Sequence, residues 1–183
     1  YSFIYIISMF KIVFSLVLYK QSINEILPLL RSIQDLNRYF KNQIYLSIYD
    51  NSNISKRFTD KDFEFLDFPV FYFHDPRNIG FGKANNFNFS NYKLGANDLF
   101  IISNPDTFFD SKKLKKFINK FQSQSQIVCA NPLIRNIEHS IQYSSKKDPT
   151  LLSLLLGFLP FFSRFKIFKD YDFYYKNKNK DYL

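Results

Sequence analysis

Apolar residues in this chain gather in short unbroken runs, and the segments between those runs repeat their apolar positions at helical spacing. Residues 11–19 form a β-branched and aromatic run, the pattern of a strand buried on both faces of a parallel sheet. Ser22 then caps a helix whose apolar positions Ile23, Ile26, Leu27, Leu30 and Ile33 share one face, with Pro28 as its weak point. Residues 43–49 predict a second strand, 54–66 an irregular helix and 70–73 a third strand. A helix is expected over 83–92 and a fourth strand over 98–102. Ser111 caps a helix with Leu114, Phe117, Ile118 and Phe121 on one face, and 127–130 reads as a fifth strand. Strands alternating with helices imply βαβ crossovers, hence an α/β fold with a mostly parallel sheet flanked by helices.

Beyond residue 130 the pattern weakens. Residues 131–147 read as loop or hairpin, and the Leu-rich stretch 150–162 as a helix that packs on the sheet or lies at a membrane surface. That stretch is too short to span a bilayer. Residues 170–183 are charged, aromatic and without period, the pattern of a frayed or truncated end.

Composition narrows the picture. The chain has 183 residues, 46% of them hydrophobic, enough for one domain with its own core and short for two. One domain is expected over residues 9–165, with 1–8 an upstream remnant before Met9 and 166–183 a basic truncated tail. The wealth of Phe, Tyr, Ile, Asn and Lys follows AT-rich coding and carries no functional meaning. Cys129 is the single cysteine and lies in the apolar run 126–130, which predicts a buried thiol in a reducing compartment. One cysteine excludes both a disulfide framework and a thiolate zinc site.

A net charge of +9 favours anionic partners. Lys112, Lys113, Lys115 and Lys116 read as the solvated face of a helix. The lysines form no stripe interleaved with aromatics, so nucleic acid is not an expected partner. Residues 1–19 resemble a membrane span in length, but Lys11 at their middle would cost roughly 2.5–3.5 kcal/mol in lipid. A soluble strand is the better reading, and no small-residue cleavage site follows the run.

Three segments that follow strands carry the candidate chemistry. Asp106, in Asn104-Pro105-Asp106, is a carboxylate on a loop after a buried strand, placed to hold a hard divalent cation against a diphosphate. Asn104 adds a neutral oxygen. The bland alternative is a turn with Asp106 as its cap. Between Asn78 and Asn86, Gly80 and Gly82 let backbone approach a ligand, and the amides of a helix start favour phosphate. The three spaced glycines of a dinucleotide fingerprint and the Walker lysine are both missing. Asp50 follows the second strand, where an acid can hydrogen-bond a base or ribose; its alternative is an Asx turn made with Asn51 and Ser52. His74 and His139 have no carboxylate or cysteine at metal-ligand spacing.

In combination and order these motifs resemble the family 2 glycosyltransferases of GT-A fold. A first strand ends near Tyr19, Asp50-Asn51-Ser52 follows the second, and Asn78-x-Gly80-Phe81-Gly82-x-Ala84-Asn85-Asn86 precedes Asn104-Pro105-Asp106. Asn-Pro-Asp in place of Asp-x-Asp, with Gln142-Tyr143-Ser144 and Pro149-Thr150, is most similar to the rhamnosyltransferase-like branch. The resemblance covers about residues 11–160. It implies a Rossmann-like, nucleotide-diphospho-sugar transferase fold and an inverting transfer of a sugar, rhamnose within that branch, to an acceptor hydroxyl. Mg²⁺ or Mn²⁺ would sit on Asp106. Donor-binding positions would be Tyr19, Asp50, Asn51, Asn78, Gly80, Gly82, Asn85, Asn86 and Asn104.

A glycan or lipid-linked acceptor is implied, in bacterial surface polysaccharide or lipopolysaccharide synthesis, by an enzyme in the cytoplasm docked peripherally on the inner face of the plasma membrane. Members of the family continue into a segment that supplies the general base. Asp170 and Asp172 do not match it in their surroundings. The base is therefore expected beyond Leu183, and the alternative is a nucleotide-sugar-binding fragment or scaffold without turnover.

Overall fold

The computed structural model describes residues 10–53, 58–132, 134–136, 138 and 140–142. These group into two compact units, one up to Ser123 and one from Gln124 onward. In the first unit four strands form one parallel sheet: β1 (Ile12–Leu18), β2 (Ile44–Asp50), β3 (Val70–His74) and β4 (Leu99–Ser103). Their spatial order is β3-β2-β1-β4. Helices α1 (Ile23–Asn37), α2 (Phe81–Ser90) and α3 (Ser111–Gln122) complete the unit.

The unbroken apolar character of β1 has a structural reason: all seven of its residues are buried, because helices cover both faces of the sheet. Ile12, Phe14, Leu16 and Leu18 join Ile44, Leu46 and Ile48 against α1 and α3. The alternate residues, Val17 and Tyr49 among them, pack with Ala84 of α2 on the other face. Each fully buried aliphatic side chain of this kind contributes roughly 1.5–3 kcal/mol.

Helix α1 starts at a capping box, with the Ser22 amide donating to Glu25 Oε2 at 2.7 Å. The helix runs through Pro28 to Asn37, and Ile26, Leu29, Leu30, Ile33 and Leu36 form its buried face. Midway, Ser32 Oγ donates to the Pro28 carbonyl at 2.9 Å and accepts the Phe109 amide at 3.2 Å. Phe109 also stacks on Phe14 with ring centroids 5.9 Å apart. These contacts tie the segment after β4 to the α1 face of the sheet.

Several expectations change. The irregular helix placed over 54–66 is a short 3₁₀ turn, Asp60–Phe63, within the part of that range that is described. Helix α2 begins two residues earlier than its apolar pattern implies, because Gly80 turns the chain at its start. Asp110, not Ser111, caps α3 and accepts the Lys113 amide at 2.9 Å. Residues 127–130 form no strand, and Cys129 is exposed rather than buried. Four apolar residues are too few to distinguish a strand from a loop. In the second unit β5 (Ile134–Arg135) and β6 (Ile141–Gln142) pair antiparallel, the second of the two forms, loop or hairpin, expected within 131–147. Residues 1–9, the Leu-rich stretch, the tail and His139 lie outside the described residues. Among the described residues no helix is long and apolar enough to cross a membrane.

Candidate functional site

The strand order reverses between β1 and β4, since β2 and β3 extend to one side of β1 and β4 lies on the other. In open α/β sheets the crevice beyond the carboxyl ends of the strands at such a reversal receives the ligand. Tyr19 and Lys20 follow β1 on one lip, and Asn104 to Asp106 follow β4 on the other.

Asn51 and Ser52 bind the loops after β1, β2 and β3 together. The Asn51 amide donates to the Leu18 carbonyl at 2.8 Å, and Asn51 Oδ1 accepts the Ile79 amide at 3.1 Å. Ser52 Oγ accepts the Lys20 amide at 2.7 Å and donates to Asp50 Oδ1. His74 Nε2 lies 2.9 Å from the Ser52 carbonyl, which makes it the protonated ring nitrogen. Asp50 is fully buried. Its Oδ1 accepts the Ser52 amide at 2.9 Å, closing an Asx turn, and its Oδ2 accepts the Tyr72 hydroxyl at 2.9 Å. Both carboxylate oxygens therefore already have partners within the chain.

The glycine loop holds two different glycines. Gly80 has φ 84° and ψ 164°, a region open essentially to glycine alone. Gly82 is under no such constraint, yet a Cβ there would meet nothing within 4 Å, so space stands open beside it. Asn78 is also left-handed, at φ 47°, and its Oδ1 accepts the Gly80 amide at 3.3 Å.

Beyond this loop, α2 turns a polar edge to the sheet. Asn85 Oδ1 accepts Ser15 Oγ at 2.6 Å, Asn88 Oδ1 accepts Ser47 Oγ at 3.0 Å, and Asn88 Nδ2 donates to Ser15 Oγ at 2.9 Å. All four residues are buried. Asn86 points the other way and is exposed.

On the opposite lip, the Thr107 amide and hydroxyl both donate to the Asn104 carbonyl, at 3.2 and 2.7 Å. The turn foreseen as the bland alternative is thus present. Asp106 does not close it. The Asp106 carboxylate is exposed and makes no hydrogen bond or ion pair among the described residues. A single free carboxylate suits Mg²⁺ or Mn²⁺, which take one or two protein carboxylates and complete their shell with water and substrate phosphates. Among the described residues no cluster of three or more His, Cys, Asp or Glu forms a cage for an ion. The residues present therefore fit a cation shared with a diphosphate.

Of the sequence-derived positions, the structure leaves Tyr19, Gly82, Asn86, Asn104 and Asp106 open to solvent, and it buries Asp50, Asn51 and Asn85. One feature escaped the sequence reading. Asp75, nearly buried, accepts Arg77 Nε on both oxygens at 2.9 Å and the Tyr49 hydroxyl at 3.3 Å. The Arg77 hydrogen bonds hold the Asp75 carboxyl far below the usual carboxylate range, and burial, then Asp75, pushes the Tyr49 hydroxyl up. Asp-x-Arg at the end of a strand was the available signal.

The family model described as glycosyl transferase family 2 matches residues 19–179 of the chain. No curated protein and no solved structure matches it.

Proposed function

The chain belongs to glycosyl transferase family 2, and from that premise we propose that its donor site is the crevice between the loops after β1 and β4, with Asp106 as the cation-holding acid. The protein is a glycosyltransferase of α/β, Rossmann-like GT-A fold that takes a nucleotide sugar as donor and delivers the sugar to an acceptor. The observation that carries the site is the Asp106 carboxylate, exposed at the β4 lip with no internal partner among the described residues. A divalent cation there, Mg²⁺ or Mn²⁺, supplies neutralisation of the charge that develops on the departing diphosphate.

The other roles belong to this chain's own groups. Asn104 offers a neutral oxygen beside Asp106, and the open space at Gly82 admits the donor close to the start of α2, where backbone amides favour phosphate. Tyr19, 45% exposed, is free to lie against the nucleoside. Asn78 and Gly80 shape the loop, and Asn86 faces solvent at its helical end. Asp50, Asn51 and Asn85 act from beneath, by fixing the loops that touch the donor. The acceptor hydroxyl gives up its proton to a general base and attacks the anomeric carbon as the bond between that carbon and the diphosphate oxygen breaks, with inversion and release of the nucleoside diphosphate. The donor we favour is a deoxysugar nucleotide such as dTDP-rhamnose, for a bacterial surface glycan built at the inner face of the plasma membrane; the Asn104-Pro105-Asp106 motif supports that choice.

A second reading has its own observation. The acids at the carboxyl ends of β2 and β3, Asp50 and Asp75, are both engaged internally, so neither is free to act as base for the acceptor. A donor-binding chain without turnover would look the same at these positions. Calorimetric titration with dTDP-rhamnose and UDP-sugars, in Mn²⁺ and in chelator, tests the first reading. Binding is expected to need both the cation and Asp106, and to vanish in Asp106→Ala. A folded chain that binds no donor sinks it. Donor binding without transfer to any supplied acceptor selects the second reading.

A further inference from the structure

Lys20 adopts φ 69°, in the left-handed region. Glycine and asparagine occupy that region with little strain, whereas a lysine gains no local hydrogen bond there to offset the crowding at Cβ. The other left-handed side chains described, Asn42 and Asn78, are both asparagines. Lys20 is held in place from its backbone. Its amide donates to Ser52 Oγ at 2.7 Å, and Ser52 is fully buried and bonded to Asp50, which Tyr72 secures in turn. An outlier fixed this firmly by buried neighbours indicates that the side chain it carries is used.

The placement of that side chain supplies the use. Lys20 is exposed, with Nζ 5.1 Å from the centroid of the Tyr19 ring. Lys20 follows β1 and Asp106 follows β4, neighbouring parallel strands whose last pair is Leu16 with Ser103, so both stand at the same carboxyl edge of the sheet, with the Lys20 amide held from the β2 side by Ser52. Neighbouring strands lie about 4.8 Å apart. One lip thus offers an ammonium and the other a carboxylate suited to a cation. An extended anion with more than one negative charge matches that pair, and a diphosphate is such an anion.

We infer that Lys20 binds the diphosphate of the nucleotide donor, and that Ser52 is the positioning residue that holds Lys20 in its left-handed conformation. The inference rests on the donor-site reading above and adds to it a second cationic contact, from the β1 lip.

Lys20→Gly is the decisive variant, because glycine keeps the left-handed backbone while it removes the side chain that carries the ammonium. Titrations of the full chain in Mg²⁺ would use UDP and dTDP, then uridine and thymidine. For whichever nucleoside diphosphate the unmodified chain binds, Lys20→Gly is expected to weaken binding roughly tenfold to a hundredfold, the scale of a charge-assisted hydrogen bond. Its affinity for the bare nucleoside stays unchanged, its thermal midpoint does not fall, and its binding becomes less sensitive to salt. Ser52→Ala is expected to weaken diphosphate binding and lower the midpoint. In the Lys20→Gly background the same change costs little further affinity, since no ammonium remains to be positioned. Undiminished diphosphate affinity in Lys20→Gly, or an equal loss for the nucleoside, overturns the assignment of Lys20. If the unmodified chain binds none of these nucleoside diphosphates, the donor-site reading fails first and this inference falls with it.

Discussion

The two faces of the central sheet are built from different materials. Toward α1 and α3 the sheet presents Ile12, Phe14, Leu16, Leu18, Ile44 and Leu46, closed by aliphatic and aromatic side chains. Toward α2 it presents, beside Val17 and Tyr49, two serines, Ser15 and Ser47, which meet Asn85 and Asn88 in a buried hydrogen-bonded layer. An apolar interface is tolerant of small sliding, because dispersion and burial have little direction. A buried polar layer accepts one register only, since each donor left without its acceptor carries a desolvation cost. The helix that needs exact placement is α2, whose start is the glycine loop. This fold thus separates stability from positioning by face.

The largest expected effect belongs to the apolar face. Leu16→Ala should lower unfolding free energy by about 2–5 kcal/mol, as large-to-small changes at fully buried sites do. Denaturant titration measures it. Nucleoside-diphosphate affinity should be unchanged while the variant remains folded, and a parallel loss of affinity would break the division between the faces.

A smaller stability effect, with a larger effect on the site, is expected across the sheet. Asn88→Ala leaves Ser15, Ser47 and the carbonyls of Leu16 and Ser47 without their shared partner, a loss of about 1–3 kcal/mol. Amide hydrogen exchange should rise at Gly80, Phe81 and Gly82 more than in α1. Equal exchange in the two helices would show that the polar layer positions nothing.

The smallest effect is one of pH, and it sharpens the same contrast. The Arg77 hydrogen bonds depress Asp75 in the folded state. The unfolded chain therefore takes up a proton at Asp75 first, near the ordinary value of about 3.9. Stability from the Asp75–Arg77 pair is full above that value and is lost as pH falls toward the lower folded value. Unfolding midpoints followed into acid should show this loss, and Asp75→Asn should remove it.

Much of the sheet was legible because parallel buried strands announce themselves as unbroken apolar runs, and β1 to β4 lie within a residue or so of their expected bounds. The α1 cap was legible because Ser22 and Glu25 stand at capping-box spacing. Asp110 and Ser111 are both good caps and adjacent, so composition alone could not choose between them. The apolar run around Cys129 misled because apolarity over four residues marks neither strand nor burial.

At the site, Asp106 and the glycine loop could be found from residue type and order. The Asx turn at Asp50 was legible as the alternative, but its second partner was not, since Tyr72 comes from the next strand, twenty-two residues away in sequence. Lys20 was hidden for another reason: the signal lies in a backbone angle, and a lysine after a strand is otherwise unremarked surface.

The Ser32 hydroxyl, bonded at once to Pro28 and Phe109, clips the segment that follows Asp106 to α1. The glycine loop, by contrast, is carried by α2 on the far side of the sheet. The two sides of the crevice therefore answer to separate layers of the protein. Repacking beneath α1 would bear first on the cation-holding side, and repacking beneath α2 first on the glycine loop. Substitutions far from the donor thus have two handles on the width of its cleft, and a change of sugar or nucleotide preference can arise by turning one further than the other.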